Sequence, residues 1–312
     1  MKTTYLFYGF GAEYVLHSLY EELLRRGEDC VEIDALKVRD SRKPIRALRN
    51  KEVVLITSAH LLLDQKSFTD FYPTKSSFYS VMEIIALVKP IKIIFYPHDL
   101  TEPFIEYESQ YLNQFDLFLS PAEPFTTIYS QYTATEEVGW IKFRSNYKPG
   151  PTDSQFTPAK KAIWLLSDFI LYLNMGPQAA YEVLAPILTQ NVSVKLPQWE
   201  GSDEFEEYFS QKGIVMHSAS RNAIDLIQQH DIILTNGLSS IIAESYYSGK
   251  TTVNITERSH YGDRLSFLKK NFPDLIFYEK VVDFKLSEVP EKSRKPTLKP
   301  FDMEKTISLI IN

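Results

Sequence analysis

Asp231–Ile255 reads DIILTNGLSSIIAESYYSGKTTVNI, and this stretch decides the fold. Asp231–Leu234 is an apolar run with strand character, and Thr251–Ile255 is a second one. Between them, Thr235–Ser240 forms a turn, and Ser239–Ser248 has the composition of a helix that Gly249 ends. Strand, turn, helix and strand in that order form the unit of a parallel sheet covered by helices. Gly237 supplies the backbone freedom for a tight turn. Ser239 and Ser240 stand at the start of the helix, where free N–H groups and the positive dipole end favour a phosphate. The same serines also suit an ordinary N-cap. Glu244 follows Ser239 by five residues, and its carboxylate is placed to accept hydrogen bonds from ribose hydroxyls.

The pattern extends in both directions. Strands are expected at Ala162–Leu166, Val192–Lys195 and Ile214–His217, and helices at Gly176–Thr189, Asp203–Lys212 and Ala223–His230. An earlier round alternates in the same way. Its strands are Thr4–Tyr8, Asp29–Ile33, Val53–Ser58, Ile91–Tyr96, Leu117–Ser120 and Glu137–Ile141, and its helices Tyr14–Arg26, Phe78–Val88 and Phe125–Tyr132. Between the rounds lies Ser145–Pro158, SNYKPGPTDSQFTP, whose three prolines and one glycine mark a hinge. The domains are therefore set at 1–148 and 161–300, with a linker at 149–160 and a closing helix at 301–312. A chain of 312 residues suits two domains better than one. In open parallel sheets ligands bind beyond the carboxyl ends of the strands. With two sheets facing each other, the cleft between them is the expected site.

Composition narrows the function classes. A formal charge of −6 argues against a dedicated nucleic-acid binder. The charge is uneven, with six basic residues and one acid between Lys37 and Arg49. That run reads either as a solvated loop or as a contact for an anionic membrane surface. The single cysteine, Cys30, excludes an internal disulfide and a cysteine-rich metal site, and its strand context suggests a small core residue. Metal-ligand spacings such as His-x-x-x-His or Asp-x-Asp are missing from the sequence, so no metal is expected. The apolar stretches fall short of the ~20 residues that span a bilayer, and the start of the chain lacks a signal-peptide pattern.

The strand, T-N-G-L-S-S, helix, Glu, Gly-Lys, strand sequence resembles the donor domain of GT-B glycosyltransferases. It is similar in particular to the CDP-glycerol glycerophosphotransferases of teichoic-acid synthesis, which carry T-D-x-S-S at this turn. It is also similar to the UDP-N-acetylglucosamine 2-epimerases, whose T-E-R segment matches Thr256-Glu257-Arg258. The resemblance covers the order of elements over nearly the whole chain and is sharp over about 30 residues. It implies an α/β, GT-B-like fold of two Rossmann-like parallel-sheet domains facing across a cleft. It also implies a metal-independent transferase that uses a nucleotide-activated sugar or polyol phosphate and a hydroxyl acceptor. The setting would be the cytoplasm or the inner face of the membrane, in cell-surface polymer synthesis, with no cofactor beyond the donor itself.

Residue by residue, the resemblance places the donor on Asn236, Gly237, Ser239, Ser240 and Glu244. Asn236 stands where the families carry Asp. Lys195, in Lys195-Leu196-Pro197, would neutralise a donor phosphate, although these families have a His before the Pro. His217 ends a strand and would line the nucleotide side. In the first domain, His98 and Asp99 follow an apolar strand where glycerophosphotransferases carry their proposed general base. An ordinary imidazole pKa of about 6.5 suits removal of an acceptor proton, and Asp99 would orient the ring. Gly9 and Gly11 open the first helix and would lie under acceptor or donor phosphates, or serve only a tight turn. His17 and His230 fall on helices and are expected at the surface. The same features leave two alternatives open, a nucleotide-sugar 2-epimerase and an inactive binding protein that keeps the fold.

Overall fold

The computed structural model describes residues 2–9, 13–35, 40–58, 78–97, 100, 113–123, 125–144, 162–237, 239–255, 264–290, 296, 297 and 299–312. These fall into two compact units. The first holds the described residues up to 97, then 113–144 and 299–312, and the second holds residue 100 and 162–297. Among the described residues, no helix is long and apolar enough to cross a membrane.

The first unit is built on six parallel strands: β1 (Thr4–Gly9), β2 (Asp29–Asp34), β3 (Val53–Thr57), β4 (Lys92–Phe95), β5 (Leu117–Ser120) and β6 (Thr135–Glu137). Their order across the sheet is β2-β1-β3-β4-β5-β6. β1 and β3 are buried along their whole length, which is why both read as continuous apolar runs. Helix α1 (Glu13–Arg25) ends where Gly27 takes φ +84°, as its sequence suggests. Helix α2 (Arg42–Arg46) occupies part of the basic run and buries Ile45. Arg42 and Arg46 lie over the Tyr79 ring at 5.5 and 5.9 Å, and Arg46 Nε donates to the Tyr79 hydroxyl at 2.8 Å. Helix α3 (Val81–Val88) starts three residues later than the apolar pattern suggests. Ser80 and Glu83 form a reciprocal capping box that fixes the first turn there. Helix α4 (Phe125–Tyr129) packs Tyr129 flat on Phe118 at 3.8 Å between ring centres.

Three readings change. Cys30 lies half-buried on β2, an edge strand, rather than in the core. Burial and the nearby Asp29 and Glu28 push its thiol up to about 11. The strand expected at Glu137–Ile141 is two strands. β6 ends at Glu137, Gly139 takes φ +84°, and β7 (Trp140–Arg144) leaves the sheet to pair with β14 (Pro300–Phe301). The closing helix α11 (Met303–Ile311) therefore starts later than Phe301. Asp302 Oδ1 caps it by accepting from Lys305 N at 2.9 Å. Its Glu304 meets Arg26 at 2.6 Å, and Lys92 Nζ donates to Leu309 O at 2.8 Å, so the closing segment belongs to the first unit.

The second unit repeats the plan with β8 (Ala162–Leu165), β9 (Val192–Lys195), β10 (Met216–His217), β11 (Ile232–Asn236), β12 (Thr251–Ile255) and β13 (Ile276–Tyr278). All pair in parallel, in the order β10-β9-β8-β11-β12-β13. The helices are α5 (Ile170–Leu173), α6 (Pro177–Leu188), α7 (Ser202–Gln211), α8 (Ala223–Gln229), α9 (Ser240–Tyr247) and α10 (Arg264–Asn271). One face of the sheet packs Trp164, Val194 and Leu234 against Leu184, Ile187, Phe205 and Phe209 of α6 and α7.

Candidate functional site

In the second unit β8 comes first in the chain, β9 is added on one side and β11 on the other. The strand order therefore reverses between β8 and β11, and their carboxyl ends bound the crevice in which such sheets take ligands. A polar clasp closes this point. Asn236, the last residue of β11, donates from Nδ2 to Asp168 O at 2.7 Å. Its Oδ1 accepts from Ser167 N at 2.9 Å and Asp168 N at 3.4 Å. Ser167 Oγ donates to Asn236 O at 2.6 Å. Sequence reading missed Ser167 and Asp168. The signal was a polar pair directly after the apolar run Ile163–Leu166.

The clasp explains why the amide stands here. Asn236 is 6% exposed and uses both ends of its side chain. Aspartate would keep the acceptors, lose the donor, and set a carboxylate against the Asp168 carbonyl. Asn236→Asp is expected to cost about 1–3 kcal/mol, the penalty of leaving a buried polar group unsatisfied. Denaturant unfolding should show a lower midpoint, and an unchanged midpoint would mean that the clasp carries no stability.

The turn beyond Asn236 leads into α9. Gly237 takes φ +76°, and its carbonyl accepts from Asn254 Nδ2 at 3.3 Å. Ser239 is the N-cap, and its Oγ accepts from Ile241 N at a long 3.4 Å. Ser240 is the first helical residue and is 7% exposed. The first turn of α9 contains no acidic residue, so its N–H groups are not answered by a side-chain carboxylate within that turn. Lys195 ends β9 next to β8, donates to Leu196 O at 3.1 Å, and has Glu206 of α7 nearby. Leu166 N donates to Lys195 O at 3.1 Å and ties the two strand exits together. Asn236, Gly237, Ser239, Ser240 and Lys195 thus share the carboxyl end of one sheet.

Two expected members of the site do not line it. Glu244 of α9 is at 0% exposure and presents no surface to a ribose. His217 is buried at 5% in a polar network rather than lining an open face. Its Nε2 lies 3.1 Å from Ser193 Oγ and its Nδ1 3.4 Å from Arg221 Nη1. His230, expected at the surface, is buried at 3%. Its Nδ1 lies 2.7 Å from Leu226 O and its Nε2 3.4 Å from the same Ser193 Oγ. A carbonyl only accepts and a guanidinium only donates. With both rings neutral, His230 therefore carries its proton on Nδ1 and His217 on Nε2. His217 then donates to Ser193 Oγ, whose own proton has two acceptors at 3.4 Å, His230 Nε2 and Ala162 O. The two rings meet edge to face at 5.7 Å.

In the first unit Gly9 closes β1, is buried, and accepts from Ala35 N at 2.9 Å. Gly11, His98, Asp99 and Thr256-Glu257-Arg258 lie outside the described residues.

No family model and no curated protein matches the chain. Among solved structures it is similar to the wall teichoic acid polymerase TagF, at 12% identity and TM-score 0.49 over 99% of this chain and 82% of that one. It is similar to MurG of Acinetobacter baumannii at 9% identity and TM-score 0.46, over 100% and 99% of the two chains. It is also similar to a putative UDP-N-acetylglucosamine 2-epimerase from Listeria monocytogenes at 12% identity and TM-score 0.43, over 99% and 95%.

Proposed function

We propose that the chain is a GT-B-type transferase that holds a nucleotide-activated sugar or polyol phosphate on its second unit and passes the activated group to a hydroxyl acceptor. The observation that supports this reading is the meeting of the β8/β11 reversal point with the acid-free N-terminus of α9. During transfer the acceptor oxygen forms a bond to the activated centre, and the bond to the leaving nucleotide breaks. Negative charge then grows on the leaving phosphate. The positive end of α9, the hydroxyls of Ser239 and Ser240, and the Lys195 ammonium are suited to that charge.

Ser239→Asp tests the site without removing the cap. Asp caps a helix about as well as Ser and adds favourable charge at its positive end, so the fold keeps its stability. A phosphate would meet that carboxylate at close range. Nucleotide affinity is expected to fall by on the order of 100-fold, a difference of about 2.7 kcal/mol. The parent should be stabilised by that same amount at a hundred times its dissociation constant. Calorimetric titration with nucleotides and nucleotide sugars reads the result. Equal affinity of parent and variant for every nucleotide that the parent binds would remove the phosphate from α9.

A second reading, a binding module without turnover, draws on the missing His before Pro197. Asn236 no longer supports it, because the clasp with Ser167 and Asp168 accounts for the amide.

A further inference from the structure

The buried histidine pair of the second unit is not used by the proposed transfer, and it joins three elements. Ser193 lies on β9, His217 ends β10, and His230 directly follows α8. Arg221, in the loop between β10 and α8, completes the set. Its Nη1 meets His217 Nδ1 at 3.4 Å, and its Nη2 donates to Gln229 Oε1 of α8 at 2.9 Å. The path from Ser193 through His217 and Arg221 to Gln229 fastens the edge strand β10, and the loop after it, to α8.

These links work with neutral rings. A guanidinium only donates, so His217 Nδ1 must accept. A proton added there would aim one N–H at another and set a cation against the Arg221 cation. A proton added to His230 Nε2 would point at Ser193 Oγ, which His217 already uses, and would charge a ring 5.7 Å from its neighbour. Both rings are buried, so water reaches neither charge unless the network opens.

Other charged groups stand on the surrounding elements. Lys195 of β9 is the register partner of His217. Glu206 of α7 accepts from Ala219 N at 2.9 Å, and burial raises its carboxyl above the usual range. Burial likewise raises the carboxyl of Asp225 on α8. Lys250 Nζ donates to Gln228 O at 3.0 Å, and Glu244 is the one charged residue of α9, which packs on α8. The two raised carboxyls take protons more readily in the folded chain, so their effect on stability opposes that of a histidine held neutral. We infer that the His217–Arg221 contact is an acid-sensitive latch, and that a proton taken up at His217 frees β10 and the 218–222 loop from α8. The latched state binds fewer protons than the open one. Its stability is therefore complete above the ordinary range of an exposed imidazole, about 6.5, and is lost as pH falls below it.

The experiment is amide hydrogen exchange of the full chain at pH 7.5 and 5.5, corrected for the intrinsic effect of pH on exchange. Protection across residues 214–230 should be about tenfold lower at pH 5.5, the effect of one proton excluded over one pH unit. Helices α1 and α3 of the first unit should keep theirs. His217→Gln retains a donor and an acceptor but does not titrate, so its protection should hold at both pH values. Glu206, Asp225 and Glu244 are present in parent and variant alike, so their own titration cancels in the comparison. Arg221→Gln removes the facing cation and should shrink the acid loss to about threefold or less. Equal protection of 214–230 in the parent at both pH values, or the same acid loss in His217→Gln, would overturn the latch. If either variant fails to fold, imidazole ¹⁵N shifts of the parent decide. A neutral His217 protonated on Nε2 at pH 6 is expected, and an imidazolium there with protection intact would refute the proposal.

Discussion

Gly139→Ala is expected to destabilise the first unit by about 3–5 kcal/mol, through backbone strain and overpacking acting together. Gly139 takes φ +84°, a conformation that L-residues adopt at a cost of about 1–2 kcal/mol. The larger effect is contact. A Cβ at this position would run into Pro300 O and lie 2.8 Å from Pro300 C and 3.0 Å from Lys299 O. All three are main-chain atoms, so no rotamer change relieves them. The β7–β14 pair must open, and with it the seat of α11. The local bonds at risk are Trp140 N to Lys299 O at 3.4 Å and the edge-on contact of Phe301 with Tyr96 at 5.9 Å. In a thermal melt the loss should appear as a fall of roughly 6–20 °C, taking 2–4 °C per kcal/mol. Protease should release the segment from residue 299 onward before the rest unfolds. A variant that melts with the parent and resists cleavage equally would show that the closing segment is not held at this glycine.

Much of the fold was legible because parallel strands covered on both faces write themselves as apolar runs. Within Asp231–Ile255 the structure moves no element boundary by more than two residues. What escaped depends on partners far along the chain. The break between β6 and β7 makes sense only when Pro300 lies beside Trp140. The clasp joins residues 69 apart in sequence, and no periodicity announces it. His230 looked like a helix-end surface residue because nothing near it in the chain shows Ser193 and His217 packed above its ring. Glu244 could have been read better. In SIIAESYY only Ile241 and Tyr246 are less than fully buried, and a helix with no polar face leaves its one carboxylate inside. Strand β13 and helix α10 went unread because the strand is three half-buried residues at an edge and the helix has little apolar periodicity.

On the proposed transferase reading the expected base is His98, three residues beyond the end of β4 in sequence and outside the described residues. The chain leading to it is held firmly. Tyr96 is fully buried, its hydroxyl donates to Gly139 O at 2.9 Å and accepts from Ile141 N at 2.9 Å, and its ring stacks on Trp140 at 6.0 Å. This anchor lies two residues before His98 in the sequence. A positioned general base contributes 10²–10⁴-fold, so His98→Ala is expected to lower turnover by about that factor. Donor affinity should change little, because the donor's phosphates are proposed to sit in the second unit. The parent's rate should rise with pH through a limb in which the ring loses its proton and becomes able to accept one. The alanine variant should lack that limb. The measurement is nucleotide release from a set of sugar and polyol donors, with parent and variant compared across pH 5–9. Turnover that survives the substitution with the limb intact would assign the base to another residue. A parent that binds a donor, as the α9 site predicts, yet releases no nucleotide with any acceptor would leave the fold as a module that recognises a nucleotide without consuming it.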